Sequence, residues 1–347
     1  MPKKKKTDMI EIDPLLAPYR KDLERRMEYY SEKKKELLGG ESSLTSFANG
    51  SLYYGFHCAP EGWYYREWAP HAQKMSLIGD FNGWNGESNP MKPVGNGNWE
   101  VFIPGRESLP HMSCVKVRVT ADSKSFDRIP AYIHRVIQQE KSSNFNGQIW
   151  NPPCPYEWKN DRVKALRRPP VIYECHIGMA SEEPKIATYE EFRRNILPYI
   201  QKNGYNAIQL MAVMEHPYYA SFGYQVTNFF AASSRYGTPE ELKALIDEAH
   251  GMGLAVFLDL IHSHAAGNAL EGLNYFDGTS YQYFHEGGQG DHPAWGTKLF
   301  DYGKKEVLHF LLSNLKYWME EYRFDGFRFD GVTSMLYHNH GLGECFD

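Results

Sequence analysis

Unbalanced charge, clustered cysteines and long apolar runs are all scarce in this sequence. Across 347 residues, 38 basic side chains meet 43 acidic ones for a net charge of -5, and the longest basic run is the four lysines at positions 3–6. Nucleic-acid binding calls for a basic stripe or face, so no nucleic-acid partner is expected. The terminal lysine run reads as a solvated tail, with a localisation signal as the alternative. The five cysteines (Cys58, Cys114, Cys154, Cys175, Cys345) are odd in number and scattered, without a C-x-x-C pair. They read as reduced structural thiols and not as a metal site. No apolar segment of signal-peptide type follows the lysines, and the longest apolar stretches, such as residues 254–261, fall far short of the roughly 20 residues that span a bilayer. No membrane partner is expected, and a cytoplasmic location fits. The chain shows no internal repeat.

Aromatic residues are the compositional excess: 24 Tyr, 19 Phe and 8 Trp make up 15% of the chain, a supply that suits large cores and also sugar-stacking surfaces. Their distribution changes along the chain. Over residues 14–38, Leu16, Tyr19, Leu23, Met27 and Tyr30 recur at three- and four-residue spacing and Gly39-Gly40 follows, which predicts a leading helix. Residues 52–57, 63–68, 74–78, 99–103 and 115–119 are short runs rich in Tyr, Phe, Trp and Val, separated by turn signals such as Asn82-Gly83 and Asn96-Gly97; they predict an all-β sandwich. Prolines at 152, 153 and 155, and again at 169 and 170, mark a linker.

Beyond the linker, predicted strands and helices alternate. Strands fall at 171–176, 207–211, 254–260 and 324–330, and helices at 189–201, 239–250 and 306–321, the order that a parallel sheet with crossover helices requires. An open doubly wound sheet would explain this, and so would the first half of an eight-stranded barrel. Polar residues at the C-terminal ends of the strands favour the barrel: Asp259 with His262 and His264 after the third, Arg328 and Asp330 on the fourth. The expected architecture is therefore multidomain: an N-terminal tail and helix (1–45), a β-sandwich (46–155), and about four β/α units forming the first half of a (β/α)8 TIM barrel (156–347).

Two segments carry chemistry. In Phe324-Asp325-Gly326-Phe327-Arg328-Phe329-Asp330-Gly331 the arginine and the second aspartate share one face of a strand. An arginine so placed compensates and orients a carboxylate anion, the form that a glycosidic nucleophile needs; a structural ion pair at a strand end is the competing account. In Leu258-Asp259-Leu260-Ile261-His262-Ser263-His264 the two histidines could line a polar pocket facing hydroxyl groups, could serve only as loop-packing residues, or could suggest zinc. Further ligands at suitable spacing are missing, so neither a metal nor a cofactor is expected.

Together these segments resemble the α-amylase superfamily, glycoside hydrolase family 13: Asp259 and His264 match its first conserved motif, Arg328 and Asp330 its second. Most members carry Asn immediately before the histidine, whereas Ser263 stands here with an additional His262, which resembles the branching-enzyme version. The segments Met214-Glu215-His216-Pro217-Tyr218-Tyr219-Ala220-Ser221-Phe222-Gly223-Tyr224-Gln225-Val226-Thr227, Arg235-Tyr236-Gly237-Thr238-Pro239 and Asp330-Gly331-Val332-Thr333-Ser334-Met335-Leu336-Tyr337 resemble 1,4-α-glucan branching enzymes of the eukaryote-like type. Upstream, Arg66-Glu67-Trp68-Ala69-Pro70 and Gly79-Asp80-Phe81-Asn82-Gly83-Trp84 resemble a family 48 carbohydrate-binding module.

That resemblance implies roles. Asp330 would be the nucleophile, Tyr224 the aromatic platform under the sugar at the cleavage site, and Asp259, His264 and Arg328 would bind that sugar or steady the nucleophile. Trp68, Trp84 and Lys116 would bind glucan on the sandwich, although each tryptophan read alone is a core residue, as is Tyr224. The partner implied is an α-1,4-glucan such as glycogen, amylose or starch. Asp330 would form a covalent glucosyl intermediate and a glucan 6-hydroxyl would take the chain to give an α-1,6 branch, with a second carboxyl group about 5–5.5 Å away as acid and then base. In the family that group follows the fifth barrel strand and a further aspartate follows the seventh. Both are therefore expected outside this chain, which by itself is expected to be inactive. A debranching or hydrolytic relative and a non-catalytic glucan-binding protein are the alternatives.

Overall fold

The computed structural model describes residues 9–139, 142–163, 169–337, 339, 340 and 342. The lysine run at 3–6, residues 164–168 of the linker and Cys345 lie outside them. The chain forms two compact units, residues 1–49 and 50–347.

In the first unit, prolines 14 and 18 hold residues Pro14–Tyr19 in a 3-10 turn, and the α-helix proper (α1) runs Arg20–Leu38. Gly39 ends it in the left-handed region (φ 54°), its N–H donating to the Lys35 carbonyl, the capping geometry for which glycine has no Cβ penalty.

The second unit begins with two antiparallel sheets. One has the strand order β1 (Gly55–Ala59), β2 (Gly62–Trp68), β5 (Asn98–Pro104), β4 (Lys92–Gly95). The other has the order β3 (Lys74–Gly79), β6 (Cys114–Ala121), β9 (Phe145–Gln148), β8 (Val136–Gln138), with β7 (Lys124–Arg128) also paired to β6. Alternation sets the faces: Val115, Val117, Val119 and Ala121 of β6 are buried, while Lys116 and Arg118 are half-exposed. The first predicted strand needs correcting, because Leu52 belongs to a helical turn, Gly50–Tyr53, anchored by the Gly50 N–H on Ser313 Oγ at 2.8 Å. Gly55, at φ 83°, then turns the chain into β1.

The remainder carries a four-stranded sheet in the order β10 (Ile172–Cys175), β11 (Ala207–Leu210), β14 (Ala255–Leu260), β15 (Gly326–Phe329), parallel throughout. Strands β11 and β14 are mostly buried and read as the apolar runs that a doubly covered parallel strand requires; β10 and much of β15 are exposed. The helix predicted at 189–201 is two helices, α2 (Tyr189–Asn195) and α3 (Leu197–Lys202), because Pro198 has no N–H to continue the first. Helices α4 (Pro239–Gly251) and α5 (Lys305–Glu321) precede β14 and β15. Capping boxes at Thr188/Glu191 and Thr238/Glu241 fix the starts of α2 and α4. A hairpin that sequence periodicity did not reveal, β12 (Met214–Glu215) with β13 (Asn228–Ala232), interrupts the alternation between β11 and α4. Its loop carries Tyr224. Among the described residues no helix is long and apolar enough to cross a membrane.

Candidate active site

Strand register assembles the site. Asp259 of β14 is the parallel partner of Arg328 of β15, and the Asp330 N–H continues the ladder onto the Leu260 carbonyl at 3.0 Å. One guanidinium nitrogen of Arg328, Nη1, lies 3.0 Å from Asp259 Oδ2 and 2.9 Å from Asp330 Oδ1. The Tyr224 hydroxyl donates to the same Asp259 oxygen at 2.7 Å. Burial pushes the Asp259 carboxyl up from its ordinary range, opposed by the Tyr224 hydrogen bond and the Arg328 charge. Burial disfavours the charge on Arg328, but the neighbouring Asp259 and Asp330 prevail and hold its pKa above the usual value.

Backbone geometry brings Tyr224 there. A 3-10 turn, Tyr219–Ser221, is followed by Phe222 and Gly223 at φ 54° and 92°. A Cβ on Gly223 would sit 2.1 Å from the Ala212 carbonyl oxygen, so only glycine allows this approach. Gly331, at φ 63°, plays the same part after Asp330: a Cβ there would meet Ser263 Oγ at 2.5 Å and the Trp295 ring at 3.4 Å.

The two histidines after β14 diverge. His262 is buried against α5 with Nε2 2.9 Å from Asn314 Oδ1, and burial lowers its pKa to about 4. His264 lines a cavity of about 280 Å³ with Ser221, Tyr224, Gln225, Trp295, Thr297 and Asp330. Its pKa is also lowered to about 4, by burial and then by the charge of His292, so it is a neutral ring at pH 7. Asp259 Oδ1, Ser263 Oγ and His264 Nδ1 are buried without a hydrogen-bond partner among the described residues. These three atoms fall within six consecutive residues, and of the three side chains His264 lines the cavity. No group of His, Cys, Asp or Glu among the described residues is arranged to hold a metal. Trp295 carries no signal in the sequence; its segment, Gly290-Asp291-His292-Pro293-Ala294-Trp295-Gly296-Thr297, lies in a long aperiodic loop, and one exposed tryptophan makes no pattern.

On the sandwich, Trp84 is half-exposed, its Nε1–H donating to Asp80 Oδ1 at 3.1 Å, and Asp80 Oδ2 accepts the Cys114 N–H at 2.7 Å. Lys116 stands two residues along the same face of β6, its pKa lowered by burial. Trp68 does not join them. It is 8% exposed at the end of β2, with Tyr283 edge-on to it at 5.3 Å and Gln282 bonded to its carbonyl. A ring so covered offers no face to a sugar, and its expected stacking role is corrected to a core role.

The carbohydrate-binding module 48 (isoamylase N-terminal domain) family matches residues 53–133, and the alpha amylase catalytic domain family matches residues 194–296. The 1,4-alpha-glucan-branching enzyme of Dictyostelium discoideum is 51% identical over 98% of this chain and 51% of its own length, and that of Rhizophagus irregularis is 52% identical over 97% and 50%. The chain is a relative of the 1,4-alpha-glucan-branching enzymes. It spans about half the length of the curated relatives it matches, including 42% of the Arabidopsis thaliana 1,4-alpha-glucan-branching enzyme 2-2, chloroplastic/amyloplastic, at 50% identity. Among solved structures, a candidate alpha amylase from Salmonella typhimurium superposes with a TM-score of 0.67 at 26% identity, covering 82% of this chain and 44% of that one. The catalytic module of the pneumococcal glycogen-degrading factor SpuA shares the fold at a TM-score of 0.66 and 18% identity, over 84% of this chain and 49% of its own.

Proposed function

We propose that this chain supplies the nucleophile and sugar-binding portion of a 1,4-alpha-glucan branching enzyme, which cleaves α-1,4 bonds and forms α-1,6 branches with retention. The observation that carries the reading is Arg328 Nη1 bridging Asp259 and Asp330 at the end of a parallel sheet, beside a cavity that Tyr224 and His264 line. In this reading β10, β11, β14 and β15 are the first four strands of a (β/α)8 barrel and the cavity sits at its C-terminal rim. Domain limits near 45 and 155 separate leader, sandwich and catalytic part. Asp330 attacks the anomeric carbon, Arg328 orients it, Asp259 and His264 receive sugar hydroxyls, and Tyr224 lies under the ring. Trp84 and Lys116 hold an α-glucan chain on the sandwich. Asp259 is fully buried and already accepts from Tyr224 and Arg328, which makes it a positioning carboxylate and not the proton donor that retaining chemistry also needs.

The nucleophile can be tested apart from acid catalysis. With α-maltosyl fluoride, the C–F bond breaks as the Asp330 carboxylate forms a C–O bond to the anomeric carbon, and fluoride leaves without a proton. Mass spectrometry of quenched, digested protein should place a maltosyl adduct on the peptide containing Asp330, and Asp330→Asn should lack it. An adduct on another carboxylate would move the role there. Absence of any adduct in the parent chain would remove the support for this assignment.

A further inference from the structure

Trp295 has one ring face stacked on a histidine and lines the cavity. Its indole lies parallel to the His292 imidazole, with ring centroids 3.9 Å apart and an interplanar angle of 3°. The His264 ring is tilted beside it at 5.0 Å. Even so, Trp295 remains 43% exposed and lines the same cavity as Tyr224 and Asp330.

The supporting histidine is fixed at both nitrogens. Nδ1 of the buried His292 accepts the Ala294 N–H at 3.2 Å, which leaves Nε2 as the protonated nitrogen, 3.0 Å from Ser334 Oγ. The backbone closes on itself around the pair: the His292 N–H donates to the Thr297 carbonyl at 2.8 Å and the Gly296 N–H to the His292 carbonyl at 3.1 Å. Ser334 belongs to the helix Val332–Leu336 that directly follows Asp330 and Gly331. The indole is thus held in one orientation by a stack, a tight turn and a hydrogen bond to the segment that positions the proposed nucleophile.

We infer that Trp295 is a second sugar platform of the cavity, binding a glucosyl ring of an α-1,4-glucan beside the ring carried by Tyr224, with His292 and Ser334 as its positioning residues. This rests on the reading of the cavity as a glucan site. An indole stacked on an imidazole and still 43% exposed can offer a flat apolar surface to the C–H face of a pyranose, and little rotamer freedom is lost on binding because the stack has already removed it. Tyr224 Oη is committed to Asp259, and the Tyr224, Trp295 and His264 rings line one volume.

The test is maltoheptaose binding by isothermal calorimetry, using the full chain in a Trp84→Ala background so that the cavity dominates the signal. Trp295→Ala should weaken binding by roughly five- to tenfold, the range expected for one aromatic contact, and Trp295→Tyr should restore most of it. His292→Phe keeps a stacking ring without the hydrogen bonds and should stay within about threefold of the background. His292→Ala should resemble Trp295→Ala, with unchanged near-ultraviolet circular dichroism outside the indole region showing that the fold persists. If Tyr224→Ala weakens binding and Trp295→Ala does not, the platform inference is overturned and the glucan reading of the cavity stands. If neither substitution changes affinity, the cavity does not take glucan and both readings fall.

Discussion

In the sandwich, Glu67 is fully buried, yet both of its oxygens accept hydrogen bonds, from the Tyr65 hydroxyl and the Trp68 and Ala131 N–H groups; behind the cavity-lining Tyr224, Asp259 is buried as deeply and one of its oxygens accepts nothing. The first arrangement is what a structural carboxylate requires, since an unmet buried acceptor costs about 1–3 kcal/mol. The second tolerates that cost alongside two more unmet atoms, Ser263 Oγ and His264 Nδ1, within one short segment. The two buried carboxylates of one folded unit thus differ in how fully they are satisfied. The difference gives the proposed site a contrast that substitutions can probe.

The largest effect expected from breaking this contrast is on chemistry. Asp330→Asn replaces the nucleophilic carboxylate anion with a neutral amide of nearly the same shape. Release of fluoride from α-maltosyl fluoride, followed with an ion-selective electrode, should fall by roughly 10⁴-fold. Retention of more than a tenth of the rate would shift the nucleophile to another group.

Next comes the pair of tryptophans that the sequence treats alike and the structure does not. Trp68→Ala empties a covered position against Tyr283 and should cost about 3–5 kcal/mol in urea unfolding. Trp84→Ala alters a half-exposed ring and should stay within about 1 kcal/mol of the parent. Affinity electrophoresis in glycogen gels should show the opposite order: retardation lost in Trp84→Ala and kept by whatever Trp68→Ala protein remains folded. Equal retardation of parent and Trp84→Ala would make Trp84 a structural residue as well.

A smaller effect probes the carboxylates themselves. Tyr65→Phe and Tyr224→Phe each delete one hydroxyl donating to a buried carboxylate, at 2.9 and 2.7 Å. Each should destabilise the chain by about 1–3 kcal/mol. Saturating maltoheptaose should raise the thermal midpoint of Tyr65→Phe as much as that of the parent, and that of Tyr224→Phe by less. Equal ligand-induced shifts in both variants would detach Tyr224 from the glucan site.

These contrasts were unevenly legible in the sequence. Period-two alternation exposed the inward valines of β6, and spacing by two placed Arg328 and Asp330 on one strand face, where the structure finds them 2.9 Å apart. Strand periodicity could not say what lies over a strand's outer face. Trp68 and Trp84 therefore looked equivalent until Gln282 and Tyr283, more than two hundred residues away, covered the first. The break between α2 and α3 was written in Pro198, but the apolar pattern on either side continued in phase and hid it. Trp295 depended on a turn closed by His292 and Gly296 in an aperiodic loop, where neither period applies.

The last and smallest effect sets the buried acid of the sandwich against the buried bases of the site. Burial lifts the Glu67 pKa to about 7, with three donated hydrogen bonds holding it back, and lowers those of His262 and His264 to about 4. An unfolded chain would titrate the acid near 4.5 and the histidines near 6.5. Between about pH 4.5 and 7 the folded state therefore holds more proton on Glu67 than the unfolded state does, and the stability linked to Glu67 is complete below that window and lost as pH rises through it. The histidines act with the opposite sign: folded, they hold less proton between about pH 4 and 6.5, so their contribution is complete above that window and lost as pH falls through it. His134 and His216, also lowered to about 4 by burial, add to the histidine side, so stability should rise with pH from 5 to 6.5. Urea midpoints across that range should show Glu67→Gln steepening the rise and His262→Gln flattening it, each by at most about 1.4 kcal/mol per pH unit. A Glu67→Gln curve parallel to the parent's would mean that Glu67 stays ionised throughout and that its three donors outweigh its burial.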